Sequence, residues 1–203
     1  MTLTLGPDWE RNLWASPHRL RFGLNEGGAY LTMFTTSYDR ARCLARAALP
    51  TDGLIGVIAA YPDPRTDIRA EQHGWMGGTG FDYLEELGVP TKAALATWKG
   101  YCWPGDDEDD EAELWVHRAV NLTWDQADIL IWNQVAQDIG IGPVAPVKSK
   151  LVNLAHGVSV DAYDDRGMDI TSITKEQTAG LYDQFRSWLL DYDRPLMKEI
   201  FEG

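Results

Sequence analysis

The stretch that most constrains the fold is GLIGVIAAY at 53–61, a continuous apolar run of strand length. Such a run predicts a central strand buried on both faces. The segments before it have different periods. HRLRFGL (18–24) alternates as a strand does and ends in a glycine-bearing turn, NEGG. From Ser37 onward, SYDRARCLARAAL sets Ala41, Leu44, Ala45 and Ala48 on one stripe, with Arg40, Arg42 and Arg46 mostly off it. This predicts a helix closed by Pro50 and Gly53, with Cys43 inside it as a buried thiol.

After the central strand, PDPRTDIRAEQHGWMGGTG (62–80) is rich in Pro and Gly and reads as a long surface connection. FDYLEELG then makes one or two helical turns ending at Gly88. Two strands are expected around 92–103 and 113–122, joined by PGDDEDDEA. Thr123 opens the clearest helix, TWDQADILIWNQVAQDIG, and Gln126 three positions on completes a capping box. Its buried stripe is Ala127, Leu130, Ile131 and Val135, and Gly140 then Pro143 stop it. The last third reads as strand LVNLA, a tight turn at His156 and Gly157, strand VSVDAY, turn DDRG and a short strand MDI. Thr174 and Gln177 repeat the capping box and open a last long helix through Leu181, Phe185, Trp188 and Leu189; RPLMKEIF closes the chain. Strand, helix, several strands and helix, without internal repeats, predict an α+β fold: a mainly antiparallel sheet packed against helices, in a single domain over 1–203.

Charge narrows the partners. There are 18 Lys and Arg against 31 Asp and Glu, a net of −13. Residues 1–100 carry ten basic and eleven acidic groups, whereas 101–203 carry eight and twenty, so the excess lies in the second half. Phosphate backbones repel such a surface, so nucleic-acid binding is not expected, and either plain solubility or a basic partner is. The N-terminus lacks the pattern of a signal peptide, no run reaches membrane-spanning length, and two cysteines cannot build a disulfide framework. A cytoplasmic protein that does not engage membranes is the expectation.

DDEDDEAE (106–113) gathers seven carboxylates in eight positions, and five of the nine Trp (98, 103, 115, 124 and 132) bracket it. Carboxylates so spaced repel one another, so they form either a solvated loop or a docking surface for Lys and Arg. On the second reading the contact residues are Trp103, Asp106, Asp107, Glu108, Asp109, Asp110 and Glu111, since Trp anchors interfaces and acidic groups set association rates.

VDAYDDRGMD (160–169) has four aspartates around one arginine and one glycine. It lacks the ligand spacing of a calcium loop. As an acid/base pair it is disfavoured, because Arg166 would lower a neighbouring carboxyl's pKa. The hairpin reading needs only turn chemistry, with Asp capping local amides and Gly167 taking positive φ. GWMGGTG (74–80) lacks the lysine and preceding strand of a phosphate loop, and the four histidines form no metal-ligand pair. No cofactor, metal or catalytic constellation is therefore expected. An enzyme or small-ligand protein using loop 74–80 with the C-terminal aspartates is the alternative, and it requires Gly77 to Gly80 to approach Asp164 or Asp191.

The motifs YDDRGMDI (163–170), LYDQF (181–185) and WLLDYDR (188–194), within about the last 50 residues, resemble the bacterial family catalogued as domain of unknown function 3885. The resemblance implies no catalytic residue or cofactor. It implies that Asp164, Asp165, Arg166, Gly167, Asp191, Asp193 and Arg194 are a structural signature, two Asp/Arg turns braced against each other with at least one salt-bridged or N-capping pair. Together with the acidic domain and its Trp-bracketed loop, it leads to the expectation of a non-enzymatic binding protein, an immunity protein that neutralises a cognate toxin by direct contact.

Overall fold

A computed structural model describes residues 4–60, 80–101 and 114–203. Seven strands form one sheet: β1 Arg19–Gly23, β2 Ile55–Ala60, β3 Ala96–Gly100, β4 Trp115–Asn121, β5 Val147–Asn153, β6 Val158–Ala162 and β7 Gly167–Ser172. Their order is β1-β7-β6-β5-β2-β4-β3, and every pairing is antiparallel. Among the described residues six α-helices accompany it: α1 Trp9–Trp14, α2 Tyr30–Ala48, α3 Gly80–Glu86, α4 Trp124–Ile139, α5 Lys175–Gln184 and α6 Arg194–Glu202. The chain is thus the expected α+β layer.

The apolar run is β2, flanked by β4 and β5, with all six residues buried. It needs cover on both faces and has it. On one face Ile58 joins Phe22, Leu151, Val160 and Ile170 in the main core, under Leu44 of α2, Leu130 of α4 and Leu181 of α5. On the other, Ile55 and Val57 join Ala119 and Val152 under Trp9 and Leu13 of α1. Among the described residues no helix is long and apolar enough to cross a membrane.

Helix α4 begins as its sequence predicts. Thr123 Oγ1 accepts from Gln126 N at 3.3 Å, Gln126 Oε1 accepts from Thr123 N at 2.9 Å, and Gly140 closes the helix at φ 72°.

Four expectations are corrected. Helix α2 starts at Tyr30, not Ser37. Its first turn has no side-chain cap and exposes Tyr30 and Leu31, but Phe34 stacks on Tyr38 and meets Trp132 edge-on at 5.7 Å, so packing overrides weak local signals. The same helix turns Cys43 outward, so it is exposed, not buried. The last long helix stops at Gln184. Arg186–Trp188 tighten into a 3₁₀ turn, and Leu189 then extends beside Phe22 of β1. Leu190 N donates to Arg21 O at 2.9 Å, so the C-terminal segment covers the β1 edge of the sheet. Finally, Gly167 has no positive φ. It is required for space, because a Cβ there would overlap the Tyr163 ring.

Candidate functional site

The Asp/Arg turns are built from within. Asp164 Oδ1 accepts from the backbone N–H of Arg166 at 2.7 Å and of Gly167 at 3.1 Å, while Oδ2 accepts from Arg166 Nε at 2.8 Å. In the second turn Arg194 Nη2 meets Asp191 at 2.9 Å and donates to Leu189 O, also at 2.9 Å. The signature therefore contains the expected salt-bridged pairs, Asp164–Arg166 and Asp191–Arg194, but each closes within its own turn and does not brace the other, and Asp193, the N-cap of α6, makes no side-chain cap. Asp165 is different. Its backbone carbonyl accepts from Ser37 Oγ at 2.6 Å and its carboxylate from Asn25 at 3.0 Å, which ties the turn to α2. Burial, then the neighbouring Asp164, push its carboxyl up; Arg166 pulls the other way, as expected, but loses.

Arg21 links the two segments that carry these turns. Its Nε donates to Asp169 on β7 at 3.1 Å and its Nη1 to Asp193 at 2.7 Å. Burial opposes the Arg21 charge, yet Asp169 and Asp193 outweigh it and its pKa is raised. Arg19 adds a second contact to Asp169 at 2.5 Å. Burial pushes the Asp169 carboxyl upward against both arginines; with two guanidinium groups in contact, we take it as the ionised member of the cluster. Beside it, Tyr163 is pushed up to about 12 by burial and by the Asp169 charge.

Strand alternation carries this charged row across the face of the sheet that α1 only partly covers. Asp161 lies directly opposite Asp169 in the β6–β7 register, and Lys150 of β5 reaches Asp161 at 3.1 Å as well as Glu10 of α1. Each carboxylate is thus held by a cation, the arrangement of an ion network more than of an acid/base pair. Further along, His117 stacks on Trp98 at 5.3 Å with rings 12° apart, and burial lowers its pKa, leaving a neutral imidazole near Gly100 O.

Between β5 and β6 the sheet opens. The strands pair only at Leu151↔Val160, Val152↔Ser159 and Asn153↔Val158, although β5 begins at Val147 and β6 runs to Ala162. A cavity of about 50 Å³ sits at this parting, lined by Trp9, Val57, Lys148, Lys150 and Asp161 on the open face and by Ser149 and Gln134, which α4 contributes from the other side. It has room for roughly three to four waters. Sequence reading missed this group. A signal was present in VKSKLVN, where Lys148 and Lys150 alternate with Val147, Ser149 and Leu151, but nothing local announced that α4 would place an amide at the gap.

At the far edge of the sheet, no described strand pairs with the outer side of β3. Leu95, just before it, is 52% exposed, and Tyr101 and Leu114, which bracket the carboxylate-rich sequence, are also exposed. Trp115 is buried and Trp98, Trp124 and Trp132 are half-buried, so four of the five clustered tryptophans pack against the sheet or helices. The expected contact residues Trp103, Asp106, Asp107, Glu108, Asp109, Asp110 and Glu111 lie outside the described residues, as do 74–79 of the Gly-rich loop. Gly80 opens α3, with its Cα against Pro146 and Val147.

No curated protein and no solved structure matches the chain. A family model does, described as Domain of unknown function (DUF3885), over residues 9–193. The match runs from α1 to the DYDR turn, so it takes in the whole sheet and not only the C-terminal motifs. By that span, the chain belongs to the DUF3885 family.

Proposed function

We propose that this chain is an acidic binding protein of the bacterial cytoplasm, an immunity protein that neutralises a basic toxin by direct contact. The observation that carries the reading is the contrast between the two sheet edges. The β1 edge is covered by Leu189 and Leu190, whereas among the described residues no strand pairs with the outer side of β3, and Leu95, Tyr101 and Leu114 are exposed around it. An uncovered edge is a template for a partner's strand, and exposed apolar groups beside it supply contact area. The seven carboxylates of 106–113 fall in sequence between Tyr101 and Leu114. They would draw a cationic partner toward this edge.

The test begins with capture of partners from lysate of the native bacterium at low salt. A basic protein that kills when expressed alone and is tolerated when co-expressed with this chain supports the reading. Neutralising Asp106 to Glu111 as amides should then slow association and flatten its salt dependence, and Tyr101→Ala with Leu114→Ser should speed dissociation. An unchanged association rate removes the acidic segment from the contact. Failure to find any toxic protein that this chain protects against overturns the immunity reading.

A further inference from the structure

We propose that Lys150 and Asp161 condense into a side-chain amide, an isopeptide bond that joins β5 to β6, with Glu10 as the group that moves the proton. The bond is independent of the β3 edge. The sheet brings the reactants together, because one step beyond Leu151↔Val160 the same register sets Lys150 directly opposite Asp161. Both side chains stand on the face beneath α1, where Lys150 is paired with Val57 of β2. Backbone pairing between β5 and β6 has stopped at this point, and the side chains meet in its place, with Lys150 Nζ 3.1 Å from Asp161 Oδ2. An oxygen in contact leaves its carbon one bond farther, so a small side-chain rotation brings Nζ and Cγ to the near-attack separation of ~3 to 3.5 Å.

The surroundings suit this chemistry. Glu10 of α1 contacts the same Nζ as Asp161, and the Lys150, Glu10 and Asp161 side chains are only 15%, 17% and 20% exposed. Trp9, which is buried, and Val57 line the cavity beside all three, so the water that is released has a place to go. Transfer of one proton inside the ion pair gives a neutral amine facing a carboxylic acid. The Lys150 lone pair attacks Asp161 Cγ and forms the C–N bond, while Glu10 accepts the second ammonium proton. Glu10 returns that proton to the hydroxyl on the tetrahedral carbon, the C–O bond breaks and water leaves. One ammonium and one carboxylate thus become one amide and one water, with Glu10 unchanged and no other reagent consumed. Condensation of free amines and acids is unfavourable in water, but reactants held in contact act at effective concentrations on the order of 10⁵ M or more. The product also removes a cation and an anion from a partly buried position, and with them their desolvation cost. The amide N–H remains as a donor for Glu10.

Mass spectrometry of the full chain, denatured after purification, tests the bond. The expected result is a chain lighter than its sequence by one water. A digest cut at Leu154, between the two residues, should then yield a branched fragment joining Lys150 to Asp161, which separates the isopeptide bond from dehydration of a single aspartate. Lys150→Arg keeps a cation against both carboxylates but lacks the amine, so it should carry its full mass. Glu10→Gln keeps a hydrogen-bonding side chain but cannot take up a proton. General acid–base assistance is worth about 10²- to 10⁴-fold, so this variant should be largely unbonded when freshly purified. A parent chain of full mass overturns the proposal, and that result depends on no variant folding. So does a loss of water that persists in Lys150→Arg, and complete bond formation in Glu10→Gln overturns the role given to Glu10.

Discussion

Arg21 and Asp193 meet at 2.7 Å across 172 residues of sequence, and the same guanidinium holds Asp169. One side chain of the first strand thereby fastens the turn before α6 to β7. Breaking a buried ion pair by removing one partner leaves a charge without compensation and costs about 3 to 5 kcal/mol. Arg19 still serves Asp169, and the Arg21 side chain is 31% exposed, so Arg21→Met is expected to cost less, about 2 kcal/mol. Urea unfolding measures it. A change within experimental scatter would show that the C-terminal segment docks through Leu189 and Met197 alone.

Asp165 is buried and its carboxyl is raised, by burial first and by Asp164 second. A carboxyl raised in the folded state binds protons more readily folded than unfolded, so its ionisation opposes folding above the raised value and ceases to matter below the ordinary value of about 3.9. Stability should therefore fall as pH rises through that window. Asp165→Asn keeps an oxygen for the Asn25 amide and removes the charge. It should raise the melting temperature at about pH 7, with the gain shrinking toward about pH 4. A gain of equal size at both ends would show that the charge is not the cause.

Gly167 and Tyr163 exclude each other's growth. A methyl group at 167 would occupy space taken by the Tyr163 ring, so Gly167→Ala is expected to cost about 1 to 3 kcal/mol. Because the penalty is steric and not conformational, adding Tyr163→Ala should recover much of it, and a double-mutant cycle should show strong coupling. Additive losses would return the glycine's role to its backbone.

The elements that could be read in the sequence are those whose causes are local. The β2 run, the Thr123/Gln126 box with its Gly140 stop, and the hairpins at Gly157 and Gly167 each carry their signal within a few residues. The first two turns of α2 do not, because Phe34 is held by Trp132, almost 100 positions away. The early end of α5 is likewise set by a distant strand, β1, which takes Leu189 as a neighbour. The cavity follows the same division. Its lysines follow an alternating pattern, but the parting of β5 from β6 and the arrival of Gln134 from α4 are tertiary events. Arg166 shows the limit for pKa reasoning: the sequence places it beside Asp165 and gives the correct sign of its effect, yet burial, which only the fold supplies, decides the direction.

Gln134 Oε1, buried at the parting of β5 and β6, has no hydrogen-bond partner among the described residues. An unpaired buried acceptor costs about 1 to 3 kcal/mol, and its replacement by an apolar group of similar shape relieves that cost. Gln134→Met is close in volume, and its unbranched thioether adapts to irregular space beside Leu151, Val160 and Met168, which line the inner side of the gap with it. With that oxygen unsatisfied, Gln134→Met should stabilise the protein by about 1 kcal/mol, read by urea unfolding. A variant less stable than the parent would mean that the amide is already satisfied in solution, by water in the same cavity, and contributes to the fold itself.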